Sequence, residues 1–456
     1  MKKNHALDLT HGDPLPLLIR FAIPLVLGTI FQQLYSFADT AIVGRCIGPE
    51  ALTAVGITGS LNFVILGFSM GCAVGFCIPI SQSVGAGEAE ETSRNFWNGL
   101  YLSTAIGLVI SLGCSFFVRP LLAMMNTPDE LLDMAATYYT VILLGQTATV
   151  LYNYLSGVIR AFGDSRRPFL FLVFSSCLNV ALDFAFILMI PLGVAGAALA
   201  TVLSQMISVL LCIWWLAKKM GQIRRFDSFG KALTNISLSH MRTICIVGVP
   251  LGLEYAVCSI GNVVLQSSIN TLGTVAAAAQ ICGEKIRTIA TTPMESMGMA
   301  MATYAGQNYG AKRMDRIKSG IKAGLLIQVS YCALSWVVLF FTKKPLVYLL
   351  LGTLESPEAV ASVQYLSVIT TLFIIHGSLM ILRNTVQGMG FGISALASGV
   401  MEVIGRSTAG LLAVHYGSFF IICLSAPMSW SMGLLCCICL CAYYIPRETR
   451  KLAITE

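Results

Sequence analysis

Apolar runs of about 20 residues, the length that crosses a bilayer as a helix, recur along the whole chain. Only 11% of the 456 residues are charged, whereas a soluble protein averages about 25%. Together these features predict an all-α integral membrane protein. The predicted transmembrane helices number twelve and cover residues 15–45, 52–82, 94–118, 130–160, 166–190, 193–217, 243–270, 273–307, 316–342, 357–388, 391–414 and 417–445.

Lysine and arginine set the predicted orientation. They are concentrated in loops on the side that carries both termini, above all in 218–242 and 312–322, and are sparse on the opposite side. Because such an excess marks the cytoplasmic side of a membrane, the sequence predicts that both termini are cytoplasmic. The net charge of +7 reflects this bias rather than nucleic-acid binding, since the basic residues lack a patch with interleaved aromatic residues.

The chain contains two similar halves of six spans each. The polar segment 218–242 lies near the midpoint and predicts an N-terminal lobe at 1–225 and a C-terminal lobe at 226–456. FAIPLVLG at 21–28 matches VGVPLGLE at 247–254, and three further matches follow in the same order at shifts of 223 to 227 residues. Two pseudo-symmetric six-helix lobes around a central cleft are typical of secondary transporters. The sequence has no GxxxxGK[ST] motif, so an ion gradient is the predicted energy source.

Polar residues of three spans in the first half are predicted at similar depth. Asp39 lies six residues before Arg45, about 9 Å from the outer end of its span. Asp183 and Thr201 lie about 12 Å and about 13 Å from the outer ends of theirs. Asn179 precedes Asp183 by four residues and shares its helical face. We expect these side chains to line one polar pocket. Further candidates for contact with substrate are Gln32, Tyr35 and Ser36.

Two carboxylates in one membrane pocket indicate ion coupling. A charge at the centre of a membrane helix costs about 2.5–3.5 kcal/mol or more, so such residues usually serve a function. Burial and mutual repulsion favour the neutral carboxyl group, which makes the pair a natural proton carrier. The oxygen atoms of Asp39, Asn179 and Asp183 also suit a bare Na⁺. The remaining alternative is a purely structural hydrogen-bonded pair.

The second half lacks a counterpart of Asp39, so the halves are predicted to differ in function. Glu254 and Glu295 are candidates for a second ion or for attracting a cationic substrate, and Glu284 can pair with Arg287 in its own helix. The alternative is pairing across helices with basic residues, namely Lys285, Arg287 or Arg383. Further cleft candidates are Asn262, Gln280 and Glu284.

Two other groups of the second half are predicted to be structural. Glu402 and Arg406 are four residues apart on one helix, a spacing that favours an ion pair. His376 is predicted to be an interior residue with satisfied hydrogen bonds.

Several motifs follow one another in a characteristic order: FADTAIVGRCIGPEALTAVG, GAGEAEETSRN, GVIRAFGDSRRPF leading into LNVALDFAFI, GVAGAALATVLSQ, GQNYGAKRMDRIKSG and MEVIGRS. In this order, and over essentially the whole chain, they resemble the multidrug and toxic compound extrusion (MATE) family and, within it, the DinF-like bacterial branch. The resemblance implies a V-shaped cleft between two lobes, and antiport of amphipathic organic cations against H⁺ or Na⁺. It also implies a monomer without a cofactor in the inner membrane of a bacterium.

The resemblance also implies specific site residues. The family's cation site in the N-terminal lobe corresponds here to Asp39, Asn179 and Asp183, with Thr201 near them, in agreement with the depth argument. Other branches use a glutamate on the seventh span. Glu254 lies on that helix but about one turn too early, so the role is not transferred to it.

Three other functions are weighed against antiport. A flippase for a lipid-linked precursor would need a cationic cleft for pyrophosphate, whereas the first half places acids in its membrane core. A membrane enzyme would need a catalytic constellation such as HExxH, which the sequence lacks. A passive channel differs from an antiporter in that it cannot move substrate uphill.

Overall fold

The computed structural model describes residues 6–125, 127–220 and 236–454, and only the backbone of residues 60, 219, 220, 453 and 454. The described chain is almost entirely helical and contains no strand. This confirms the predicted all-α class. The predicted lobe boundary between residues 225 and 226 lies outside the described residues.

The helices of the first half follow the predicted spans. In chain order they are α1 (Pro14–Cys46), α2 (Pro49–Phe76), α3 (Ile78–Ala86), α4 (Ala89–Phe116), α5 (Val118–Met124), α6 (Asp129–Leu144), α7 (Gln146–Ala161), α8 (Arg166–Phe184) and α9 (Gly193–Met220). A short π-helix, Ala185–Met189, continues α8.

The second half repeats this organisation. Its helices are α10 (Leu238–Thr271), α11 (Thr274–Gly310), α12 (Met314–Leu351), α13 (Pro357–Thr371), α14 (Phe373–Gly388), α15 (Gly392–Tyr416), α16 (Phe419–Cys423) and α17 (Ser425–Ile454). Each of the twelve predicted spans falls on one of these helices or on consecutive helices of either half.

Most of these segments are apolar enough to cross a membrane. Within the described chain, eight helices are sufficiently long and apolar, and two pairs bent by 42° and 48°, α6 with α7 and α13 with α14, raise the number to ten. The other two predicted spans correspond to α11, with 37 residues, and α15, with 25. Both exceed the length that a span needs. They are less apolar because they carry charged residues of the second half.

The chain divides into two compact units that do not follow a single cut. The first unit contains the described residues up to Asp8 together with Leu27–Gly252, and the second contains Leu9–Val26 and the chain from Leu253 onward. Helices α1 and α10 are therefore each divided between the units. Helix α1 is divided after Val26 and α10 after Gly252. These two points are as far apart in the sequence as Pro24 and Pro250, the prolines that align in the repeat. The division thus falls at equivalent positions of the two halves.

The break between α6 and α7 is stabilised by α4. The backbone N–H of Thr147, in the first turn of α7, has no partner within its own helix and donates to Ser111 Oγ at 3.1 Å. The two hydroxyl groups are 2.9 Å apart. Gly107 allows this close approach, since a Cβ at that position would lie 2.9 Å from Thr147 Cα. Small residues at helix contacts commonly permit such packing in membranes.

This contact gives a prediction for stability. We expect Gly107→Leu to lower the free energy of unfolding by about 1–3 kcal/mol, because the added side chain must push α4 away from α7. Gly113→Leu in the same helix is the matched control, since a Cβ there would meet nothing within 4 Å. Thermal unfolding of the two purified variants in detergent measures the difference. Equal unfolding temperatures would contradict the proposed packing role.

Candidate functional site

Polar side chains from four helices of the first unit converge on two aspartates. Asp39 comes from α1, Asp183 from α8, Thr201 from α9 and Tyr138 from α6. Asn179, one helical turn before Asp183, is fully buried, as is Asp183 itself. The structure therefore brings together the four residues for which the sequence predicted ion coupling.

Asn179 fixes the position of Asp183. With its amide oriented by its hydrogen bonds, Nδ2 donates to Asp183 Oδ2 at 3.2 Å and Oδ1 accepts from the backbone N–H of Thr201 at 3.1 Å. Asn179 thus links α8 to α9 and presents a donor, not an oxygen atom, to the carboxylate. The Thr201 hydroxyl donates to the carbonyl of Ala197 at 3.2 Å.

The two carboxyl groups lie within hydrogen-bonding reach of each other. Two ionised carboxylates cannot form a hydrogen bond, because both only accept; one proton on either group supplies the donor. Asp39 Oδ1 and Asp183 Oδ1 are both buried and have no hydrogen-bond donor among the described residues. The geometry therefore suits a pair that shares one proton.

Two tyrosines complete this cluster. The Tyr35 hydroxyl is hydrogen-bonded to Thr201, and Tyr35 lies close enough to both aspartates to interact with them electrostatically. Tyr138 interacts with the same two carboxyl groups. Tyr35 was predicted from the sequence as a site residue, whereas Tyr138 was not. Tyr138 lies nine residues into α6, about 13 Å along the axis, so the depth argument used for Thr201 could have found it.

A local change of helix type follows Asp183 directly. The Ile190 N–H donates to the Ala185 carbonyl, five residues earlier, at 3.0 Å. Such single π-turns are rare and often occur at functional sites. No sequence pattern predicts this feature, because a π-turn depends on tertiary packing rather than on the apolar period.

The other two candidates of α1 do not join the cluster. Gln32 and Ser36 are exposed. Within the described structure, no hydrogen bond or ion pair connects their side chains to the aspartates. Their assignment as substrate-contacting residues stays a prediction.

In the second unit, Arg383 neutralises two carboxylates. Its Nη1 lies 2.7 Å from Glu254 Oε1 and 2.6 Å from Glu402 Oε1. Gln387 Nε2, one turn further along α14, donates to Glu254 Oε2 at 3.2 Å. Glu254 and Glu402 are 5% and 6% exposed. Pairing across helices, the alternative reading of Glu254, is therefore the arrangement that the structure shows.

The predicted ion pair between Glu402 and Arg406 is corrected by this arrangement. Glu402 pairs with Arg383 of α14, and Arg406 donates instead to Asn262 Oδ1 of α10. Arg406 Nη2 is also 3.5 Å from Ser429 Oγ of α17. The spacing of four residues permits an ion pair between Glu402 and Arg406, but the neighbouring helices supply other partners for both side chains.

The remaining acidic candidates lie on α11. Glu284 forms a hydrogen-bonded ion pair with Arg287, as its spacing suggested. Glu295 Oε1 lies 4.0 Å from His376 Nε2. Gln280 is buried and lies close to the Tyr365 hydroxyl. No group of three or more His, Cys, Asp or Glu side chains in the described residues could hold a metal ion.

A bundle of apolar helices in two repeated halves, with a pair of carboxyl groups inside one of them, is typical of membrane transporters. The sequence profile of the MatE family matches residues 24–185 and 250–405, more than half of the chain, and the protein belongs to this family. MatE family members are transporters rather than enzymes. Assignment to the DinF-like branch stays a prediction.

Relatives in several bacteria resemble the chain over most of its length. A probable multidrug resistance protein of Bacillus subtilis, YpnP, is 27% identical over 86% of both chains. The NorM protein of Thermotoga maritima, described in the same terms, is 24% identical over 72% of this chain and 71% of the relative. An FAD transporter of Shewanella oneidensis is 23% identical over 72% of this chain and 73% of the relative.

Solved structures share the fold. An outward-facing multidrug resistance MATE family transporter superposes with a TM-score of 0.86 at 23% identity and covers 100% of both chains. A MOP superfamily transporter from Pyrococcus furiosus gives a TM-score of 0.89 at 24% identity, covering 98% of this chain and 99% of its own. Reverse polarity of the binding pocket suggests a different function for that protein.

The ion-paired core of the second unit gives a prediction. We expect Arg383→Met to lower the free energy of unfolding by about 3–5 kcal/mol, because two buried carboxylates lose their counter-ion. Adding Glu254→Gln and Glu402→Gln to this variant should recover most of the loss. Thermal unfolding in detergent measures each protein.

Arg119→Met is the control for this experiment. Arg119 pairs with Asp133, but both side chains are exposed, so the change should cost only about 0–1 kcal/mol. If Arg383→Met were no more destabilising than Arg119→Met, the assigned role of Arg383 would be wrong.

Proposed function

We propose that the protein is a secondary active multidrug exporter that exchanges amphipathic organic cations for H⁺ by alternating access. The observation that carries this proposal is the carboxyl pair of Asp39 and Asp183 in the first unit, whose groups lie within hydrogen-bonding reach and each have a buried Oδ1 atom without a donor. The multidrug resistance names of the Bacillus and Thermotoga relatives support export of varied compounds.

The donor groups around the pair favour a proton over Na⁺. With the Asn179 amide oriented by its hydrogen bonds, Nδ2 faces Asp183 and the oxygen accepts from the Thr201 backbone N–H, so a Na⁺ site would require this amide to turn over. A proton needs only the two carboxyl groups, each of which has a buried oxygen atom without a donor.

Coupling follows from competition for the same negative charge. Loading the proton removes one negative charge from the pair and changes its electrostatic interaction with Tyr35 and its hydrogen bond with Asn179, which lie on two different helices. Helix α1, which contains Pro24 and is divided between the units two residues later, is the element suited to bend in response. Protonation then lowers the affinity for a cationic substrate and releases it outside.

The setting of this exchange follows from the charge distribution. We infer that both termini are in the cytoplasm, because the loops on that side carry most of the Lys and Arg. The family resemblance supports a monomer in the inner membrane of a bacterium. The surrounding bilayer and the exported cations are its partners, and no cofactor is required.

Reconstituted protein tests the proposal. Liposomes are loaded with ethidium, and dye movement is followed under either a pH gradient or a Na⁺ gradient. We expect the pH gradient alone to drive movement through the wild type. Asp39→Asn should abolish it, because one partner of the proton-sharing pair is lost while the amide keeps the shape of the side chain.

Asp133→Asn is the matched control, since Asp133 is an exposed aspartate of the same unit. It should transport like the wild type. Dye movement driven by a Na⁺ gradient alone would show that the coupling ion is Na⁺ rather than H⁺. Asp39, Asn179 and Asp183 would then be its expected ligands. No movement under either gradient, from folded protein, would refute antiport and favour the flippase.

A further inference from the structure

Among the four acidic candidates of the second unit, Glu295 is the one that forms no ion pair with an arginine in the described residues. Glu254 and Glu402 share Arg383, and Glu284 pairs with Arg287. Arg287 and Arg383 also act on Glu295 electrostatically, but their hydrogen bonds go to the other three acids. Within the described residues, Glu295 has no arginine within 4.0 Å.

Glu295 is accessible at a depth where lipid would exclude it. Its side chain is 57% exposed. It lies near the middle of α11, 15 residues before Gly310 and thus about 22 Å from that end. Ionisable side chains at this depth almost always face the interior of the helix bundle or water rather than lipid, because exposure of a charge to hydrocarbon is strongly unfavourable. The surface around Glu295 is therefore open to polar ligands.

A buried histidine faces the same carboxylate. His376 is 5% exposed, and neither of its ring nitrogens has a hydrogen-bond partner in the described structure. This is unusual, since buried polar groups are nearly always satisfied. The ring packs against Trp430, with centroids 4.6 Å apart, which holds Nε2 toward Glu295. The sequence analysis expected a satisfied interior histidine, and the structure does not show one.

The distance between these two groups suits a bridging donor. His376 Nε2 and Glu295 Oε1 are 4.0 Å apart, too far for a direct hydrogen bond. With the proton of the neutral ring on Nδ1, Nε2 is an acceptor, as the carboxylate is. An N–H group placed about 2.8 Å from both atoms can donate to each in a shared hydrogen bond. A positive charge on that nitrogen would further be attracted to Glu295.

We propose that Glu295 and His376 form a substrate site for organic cations that carry an N–H group at the charged centre, such as protonated amines and protonated ring nitrogens. Quaternary ammonium compounds keep the charge but cannot bridge the two acceptors. They are bound by Glu295 alone and more weakly. This inference rests on the proposed export of organic cations. It adds that the second unit favours those cations that carry an N–H group at the charged centre.

A matched pair of dyes tests the site. Acridine orange is protonated at its ring nitrogen near neutral pH, and its 10-N-methyl derivative carries a methyl group in place of that N–H. Binding to the purified full-length protein in detergent is followed by fluorescence anisotropy. We expect the wild type to bind acridine orange about tenfold more tightly than the methylated dye, as a hydrogen bond to a charged group allows.

Two variants separate the charge from the hydrogen bond. Glu295→Gln should weaken binding of both dyes and bring their affinities together. His376→Leu should abolish the preference for acridine orange and leave binding of the methylated dye unchanged. Glu355→Gln, an exposed carboxylate of the same unit, should behave like the wild type.

Two results would overturn the proposal. One is equal affinity of the wild type for both dyes, which requires no variant to fold. The other is a preference that survives both Glu295→Gln and His376→Leu. Asp39→Asn keeps this inference distinct from the transport mechanism, because it should lose proton-driven transport but retain the dye preference.

Discussion

A charge enclosed by helices in a membrane must be neutralised, and the two units meet this requirement differently. In the second unit, Arg383 is a cation fixed to the chain, held by two buried carboxylates at 2.7 and 2.6 Å. In the first unit, Asp39 and Asp183 have no arginine or lysine partner among the described residues and are compensated only by donors such as Asn179. Their negative charge must be balanced by a cation that can arrive and leave. The first unit is therefore suited to exchange an ion, and the core of the second unit to keep a constant charge.

This difference has arisen on a repeated scaffold. The prolines of α1 and α10 are equivalent in the sequence repeat, and both helices are divided between the compact units two residues after their proline. The repeat preserves backbone features that depend on helix geometry. It does not preserve the charged side chains, since the position equivalent to Asp39 falls at Val264 or Leu265. The fold is thus shared by the halves, whereas the aspartate pair occurs in only one of them.

The sequence predicted the helices and the depth of the site because both depend on quantities that a single segment contains. Apolar length defines a span, and a rise of about 1.5 Å per residue converts a position into a depth, which brought Asp39, Asp183 and Thr201 to one level. Contacts between helices also depend on how each helix is rotated and on which neighbour it meets. For that reason the pair of Glu402 with Arg406 was wrong, Tyr138 was missed, and the π-turn after Asp183 had no signal.

The charge count constrains the transport cycle further. Under the proposed exchange for H⁺, the Asp39–Asp183 pair holds one proton in one state and none in the other, so the charge of the first unit changes by one. The arginine-held carboxylates of the second unit do not change charge during this step, because Arg383 and Arg287 remain attached to them. Exchange of one monovalent organic cation for one proton then leaves the net charge of the protein and its cargo the same in both halves of the cycle. The driving force is in that case the proton concentration difference, and the membrane potential contributes no net work to the exchange.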